Sequence, residues 1–135
     1  MDWKLELIVV PVSDVDRAKA FYVENVGFKL DVDHSAGDSF RVVQLTPVGS
    51  ACSIAIGKGL RTGEAGSVKG LQMVVEDIEA ARAELVDRGV DATDFFYFGE
   101  AGQTPGLHPA RESYGTFFSF DDPDGNVWLV QEVKR

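Results

Sequence analysis

Apolar positions along the chain fall into short alternating or continuous runs broken by turn residues, and two stretches carry a helical repeat instead. Leu5 to Val12 is apolar and rich in β-branched residues, and reads as a buried strand. Ser13-Asp14-Val15-Asp16 follows, with side chains suited to capping a helix start. Ala18, Phe21 and Tyr22 then share one helical face, and Gly27 is placed to end the helix in the left-handed conformation. Phe28 to Asp33, Phe40 to Leu45 and Ser50 to Ile56 are predicted strands, with Pro47-Val48-Gly49 turning between the last two. After a glycine- and charge-rich stretch the order restarts. Gly70 to Val75 is a strand, and Glu76-Asp77-Ile78-Glu79 opens a helix running to Arg88-Gly89. Strands follow near Val90 to Phe98, Thr116 to Phe120 and Val127 to Val133.

This is a repeat. Val12-Ser13-Asp14-Val15 corresponds to Val75-Glu76-Asp77-Ile78, and Pro47-Val48-Gly49-Ser50 to Pro123-Asp124-Gly125-Asn126, in the same order and at the same points of a β-α-β-β-β pattern. The expected organisation is one domain over 1–135, with module one at 1–57, a linker at 58–69 and module two at 70–135. The second half carries a longer segment, Gly99 to Gly115.

Pro11-Val12-Ser13-Asp14-Val15-Asp16-Arg17-Ala18-Lys19-Ala20-Phe21-Tyr22, with Gly27-Phe28, resembles the opening strand and helix of the vicinal oxygen chelate superfamily of glyoxalases, bleomycin-resistance proteins and extradiol dioxygenases. Asp122-Pro123-Asp124-Gly125-Asn126 resembles its closing turn. The resemblance implies an α+β fold: two tandem βαβββ modules in an open, curled mixed sheet, with helices on the outer face and a ligand pocket within. It also implies four strand positions that hold a metal in metal-using members, here Leu7, Ser53, Gly70 and Leu129. Divalent catalytic sites need imidazole or carboxylate donors. Leucine and glycine side positions offer none, and a serine hydroxyl is a poor neutral ligand. No metal and no other cofactor is therefore expected. A shifted ligand set would have to draw on His34, His108 and Glu132.

Side chains alternate faces along a strand. If those four positions mark the pocket face, Val9, Ala51, Ala55, Gln72, Val74, Val127 and Gln131 share it. The lining is apolar with a few amides, which suits an organic ligand. Small residues there either leave room for a ligand or ease strand packing, and Gln72 bonds either a ligand or neighbouring backbone. Arg41 and Gln44 point to opposite faces, and Arg41 is a candidate anion contact or a solvated rim charge. The Gly99–Gly115 segment is either a specificity lid or a passive loop. Tyr97, His108 and Tyr114 are candidate ligand contacts, and His108, Tyr114 and Glu132 are candidate proton carriers; packing or surface roles compete for each. Trp128 and Cys52 should face the helices in the core.

Of the 135 residues, 44% are hydrophobic, and no run approaches a membrane span. The opening residues lack a leader pattern, and the single cysteine fits a reducing compartment, so a cytoplasmic location is expected. A formal net charge of −9 argues against nucleic-acid partners. The expected partner is a small organic molecule, and the resemblance implies a homodimer. Two function classes stand: a metal-independent small-molecule-binding protein like the antibiotic-binding members, or a glyoxalase-like lyase, isomerase or dioxygenase-type enzyme on a small carbonyl or polyketide-like substrate. A structural or regulatory subunit is the weaker third.

Overall fold

Asp14 and Asp77 start the two helices. Each has extended backbone and accepts a hydrogen bond from the third residue along, Arg17 N–H and Ala80 N–H respectively. The structure, a computed structural model, describes all residues from Met1 to Arg135. Strand β1 (Leu7–Val9) leads to helix α1 (Val15–Ala20), which widens into a π-helical segment (Phe21–Val26) ended by Gly27 at φ 91°. Strands β2 (Lys29–Ala36), β3 (Phe40–Thr46) and β4 (Ser53–Lys58) complete the first βαβββ module. The second module holds β5 (Leu71–Val75), α2 (Ile78–Asp87), β6 (Phe96–Gly99), β7 (Gly102–Pro105), β8 (Thr116–Asp121) and β9 (Val127–Glu132). The sheets are open and mixed, ordered β1-β4-β3-β2 and β5-β9-β8-β6-β7.

The chain forms two compact units, Met1–Val68 with Asp122–Asn126, and Lys69–Asp121 with Val127–Arg135. In the first, Val43, Leu45, Ile54 and Ile56 are buried with Ala18 and Tyr22. In the second, Phe118, Phe120, Trp128 and Val130 are buried with Ile78 and Leu85 of α2. Trp128 lies in this core, as the alternation predicts, its ring parallel to Phe120 at 6.1 Å.

Several elements differ from their expected form. The first strand stops at Val9: Val10 N–H still reaches Ala55 O, but Pro11 has no N–H to continue the ladder. Cys52 is half-buried and outside β4 rather than in the core. Ser50 Oγ donates to Cys52 O at 2.8 Å and accepts Cys52 N–H at 3.1 Å, so those residues close a turn. Val90 to Phe95 forms only one bridge, Ala92 to Phe120. The carbonyls of Ala92 and Thr93 are taken by the Arg82 guanidinium of α2 instead of a strand partner. The Gly99–Gly115 segment is not all loop, because β7 folds back on β6 through a turn at Glu100-Ala101, with Gly102 at φ 96° opening β7.

Candidate functional site

Side chains opposed across neighbouring strands lie on the same face of a sheet. In the second unit Glu132 accepts the N–H of Ile78, the first residue of α2, so the Trp128, Val130, Glu132 and Phe118 row faces the helix. The other face carries Gln72, Val74, Leu129, Gln131, Phe117 and Ser119. Phe96 pairs with Phe117 and joins it there, and Phe98 follows two residues on. Phe96 and Phe117 stack at 5.7 Å, and Phe98 meets Phe117 edge-on at 5.3 Å. Beside them lies a cavity of about 560 Å³ whose lining includes Phe95, Phe96, Gln103, Pro105, Ser119 and Leu129. This helix-free face is thus aromatic toward β6, aliphatic at Leu129, and amide-bearing toward β5.

The amides are ordered. Gln72 Nε2 donates to Gln131 Oε1 at 2.6 Å, and Gln131 Nε2 donates to the Tyr114 carbonyl at 3.0 Å. Tyr114 is held at φ 67°, with its N–H on Glu132 O at 2.7 Å, and stays 53% exposed. Leu129 is opposed by Gln72, not by Gly70, which lies one residue before β5. The helix caps of the modules are 63 residues apart (14 to 77), but the opposed strand positions Leu7 and Gln72 are 65 apart. Module one has two more residues between strand and cap, so a register carried back from the helices lands on Gly70. Gly70 keeps the two-residue alternation with Gln72, and a Cβ added there would meet nothing within 4 Å.

Tyr97 and His108, expected as ligand contacts, are on the face opposite Leu129. Tyr97 is opposed by Thr116, whose Oγ1 accepts the His108 N–H at 3.0 Å, and the two rings meet at 5.6 Å. The His108 Nδ1 accepts the Ala110 N–H at 3.1 Å. Glu132, expected to move protons, is fully buried and spent on ion pairs and a helix cap. Arg111 Nε and Nη2 donate to its two oxygens at 3.1 and 2.8 Å, and Lys134 lies 3.4 Å away. Burial alone would push its carboxyl up, but Arg111, the Ile78 N–H and Lys134 together hold it below its ordinary value. It is a fixed anion, not a reachable base.

In the first unit Leu7 is opposed by Ser53 and Val9 by Ala55, so these share a face with Gln44. A directional chain runs along it. Gln44 Nε2 donates to Ser53 Oγ at 3.4 Å, Ser53 Oγ to Thr46 Oγ1 at 2.6 Å, and Thr46 Oγ1 to Asp31. Arg41 lies on the helix side with Val43 and Leu45, and departs from the expected ligand set. It clamps Asp33 through Nε and Nη2 at 3.0 and 2.9 Å and reaches Asp16 of α1 at 2.7 Å. Arg41 and Lys19 hold the Asp33 carboxyl far below the usual carboxylate range.

The side chains do not fit a family-type metal centre. Leu7, Leu129 and Gly70 carry no donor, Ser53 is already bonded, Gln72 opposite Leu129 offers only a neutral amide, and nowhere do three His, Cys, Asp or Glu side chains gather in a way that could hold an ion. Phe96, Phe98, Phe117 and Ser119 were missed in the sequence. Their signal was the two-residue spacing within each strand, hidden by the aromatics Tyr97, Phe118 and Phe120 on the opposite face.

Fold and faces together define an α+β protein of two β-α-β modules, the second with one strand more, on open mixed sheets. Residues 4–130 match the Glyoxalase/Bleomycin resistance protein/Dioxygenase superfamily, and the chain belongs to that family. It is similar over 98% of both chains to the crystal structure of TnmS3, an antibiotic binding protein from Streptomyces sp. CB03234, with 34% identity and a TM-score of 0.76. A glyoxalase/bleomycin resistance protein from the same source is 36% identical, with a TM-score of 0.72 over 96% of this chain and 100% of that one. YetH of Bacillus subtilis (strain 168) is 29% identical over 126 residues, 93% of this chain and 94% of that protein.

Proposed function

We propose that the chain is a metal-independent small-molecule-binding protein of the glyoxalase/bleomycin-resistance type, holding an organic ligand on the helix-free face of its second unit. The observation that carries this is the Phe96, Phe98 and Phe117 cluster, of which Phe96 lines a 560 Å³ cavity together with Leu129. Pockets for organic ligands are mostly apolar with a few placed polar groups, and here the Gln72 and Gln131 amides supply them. The antibiotic-binding description of TnmS3 supports the same reading. Metal independence rests on the donor set, since neither leucine nor a bonded serine replaces imidazole or carboxylate.

A homodimer and a cytoplasmic location belong to the same proposal. No helix is long and apolar enough to cross a membrane. Light scattering on an eluting peak at twice 14.7 kDa would support the dimer, and a peak at 14.7 kDa would refute it.

Ligand-observed NMR of EDTA-treated protein against a library of organic compounds tests the function. Binding without metal, weakened about tenfold by Phe98→Ala, is expected, since Phe98 is 58% exposed and its loss removes ligand contact more than core packing. Binding that appears only after a divalent metal is restored would overturn metal independence. Turnover of a bound compound would move the protein to the enzyme class.

A further inference from the structure

The orientation of a glutamine amide is ordinarily ambiguous, because its oxygen and nitrogen have the same shape. Here the backbone removes the ambiguity. The Tyr114 carbonyl is only an acceptor, so Gln131 must present its NH2 to it. Gln131 Oε1 then faces Gln72, and Gln72 must present its NH2 in turn. The Gln72 carbonyl oxygen is left pointing away from Gln131, with no protein donor bonded to it and the side chain exposed. Gly70, two residues earlier on the same face, keeps the adjoining space open.

We propose that this backbone-set amide relay makes Gln72 a fixed acceptor, and that the ligand is an apolar or aromatic compound presenting a hydrogen-bond donor there: a phenol, an enol or an N–H, not a carboxylate. The inference rests on the ligand-face reading above. A carboxylate would meet the Gln72 oxygen instead of its NH2 group, in a chain of net charge −9. A donor would complete the relay from ligand to Gln72, to Gln131, to the backbone. Tyr114 is the origin of the ordering and acts through its main chain, so the Arg111–Glu132 pair and the Tyr114 N–H bond to the Glu132 carbonyl are positioning elements for recognition.

Titration calorimetry with 2-naphthol, 2-methoxynaphthalene and 2-naphthoate tests it. The protein is expected to bind 2-naphthol about tenfold more tightly than 2-methoxynaphthalene, and 2-naphthoate most weakly. Gln72→Leu should erase the first preference. Gln131→Leu should narrow the discrimination against 2-naphthoate, because a released Gln72 can turn its NH2 outward. A naphthol preference that is absent, or that survives Gln72→Leu, would overturn the inference while leaving the ligand-face reading intact. Failure of all three probes to bind would instead count against the ligand face itself. Independently of any ligand, a through-hydrogen-bond NMR coupling between Gln131 Nε2 and the Tyr114 carbonyl carbon is expected. Its absence in well-resolved spectra would overturn the relay.

Discussion

Asp122 is 4% exposed and its carboxylate accepts four hydrogen bonds, two from the N–H groups of Asp124 and Asn126 and two from Tyr22 OH and Asn126 Nδ2. Asn126 in turn donates to Pro11 O at 2.8 Å and accepts the Val68 N–H at 3.1 Å. Removing a shared acceptor leaves several buried donors unmet, which costs more than one net hydrogen bond. Asp122→Ala is expected to lose about 3 kcal/mol in urea unfolding, and Tyr22→Phe about 1 kcal/mol. Gly70 behaves in the opposite way. Its φ is not in the left-handed region and its surroundings are open, so Gly70→Leu should melt within about 2 °C of the parent while blocking the organic probes. The Asp122-Pro123-Asp124-Gly125-Asn126 motif was legible as a turn, but its burial was not, because the Tyr22 partner lies 100 residues away. Arg41 illustrates the converse. Strand alternation correctly separated it from Gln44, but only the placement of Asp16 on α1 decides which face is the helix side.

At the scale of elements, the segment after β7 is strapped down rather than free. Arg111, at φ 49°, spans the buried Glu132 and the exposed Glu79 of α2, and Tyr114 N–H binds the Glu132 carbonyl. Removing one partner of a buried pair strands the other, so Arg111→Leu is expected to cost about 3 kcal/mol. Because the folded Glu132 carboxyl is held below its ordinary 4.5, the pairing stabilises fully above that pH and is lost as pH falls through the lowered value. Glu132→Gln should therefore flatten part of the acid limb of a stability-against-pH curve below about pH 4.5. An unchanged limb would show that the pair does not titrate with folding. Both helices and their caps were readable from the Asp residues and the apolar spacing. The β6–β7 hairpin was not, because Gly99, Gly102, Pro105 and Gly106 look like loop composition until β7 pairs with β6.

At the scale of the whole molecule, the repeat was legible because each module must bury one sheet face under its own helix, and that need writes the same apolar order twice. The two-residue difference between strand and helix offsets was not legible, since loop length leaves no trace in either pattern. The consequence for function is concrete. At the positions opposed across β1 and β4, one unit has a serine-threonine-aspartate chain, and across β5 and β9 the other has a leucine flanked by an amide relay. The proposed role of these side chains is to hold an organic ligand without a metal. Thermal melts of EDTA-treated, untagged protein with and without Zn²⁺, Ni²⁺, Mn²⁺ and Fe²⁺, read beside the metal content of the purified chain, test it most directly. A metal bound only by the folded state at about 100 times its Kd adds about 2.7 kcal/mol, or roughly 10 °C for a chain of this size. No stoichiometric metal and no shift are expected; about one ion per chain with a shift of that order would contradict a metal-free site.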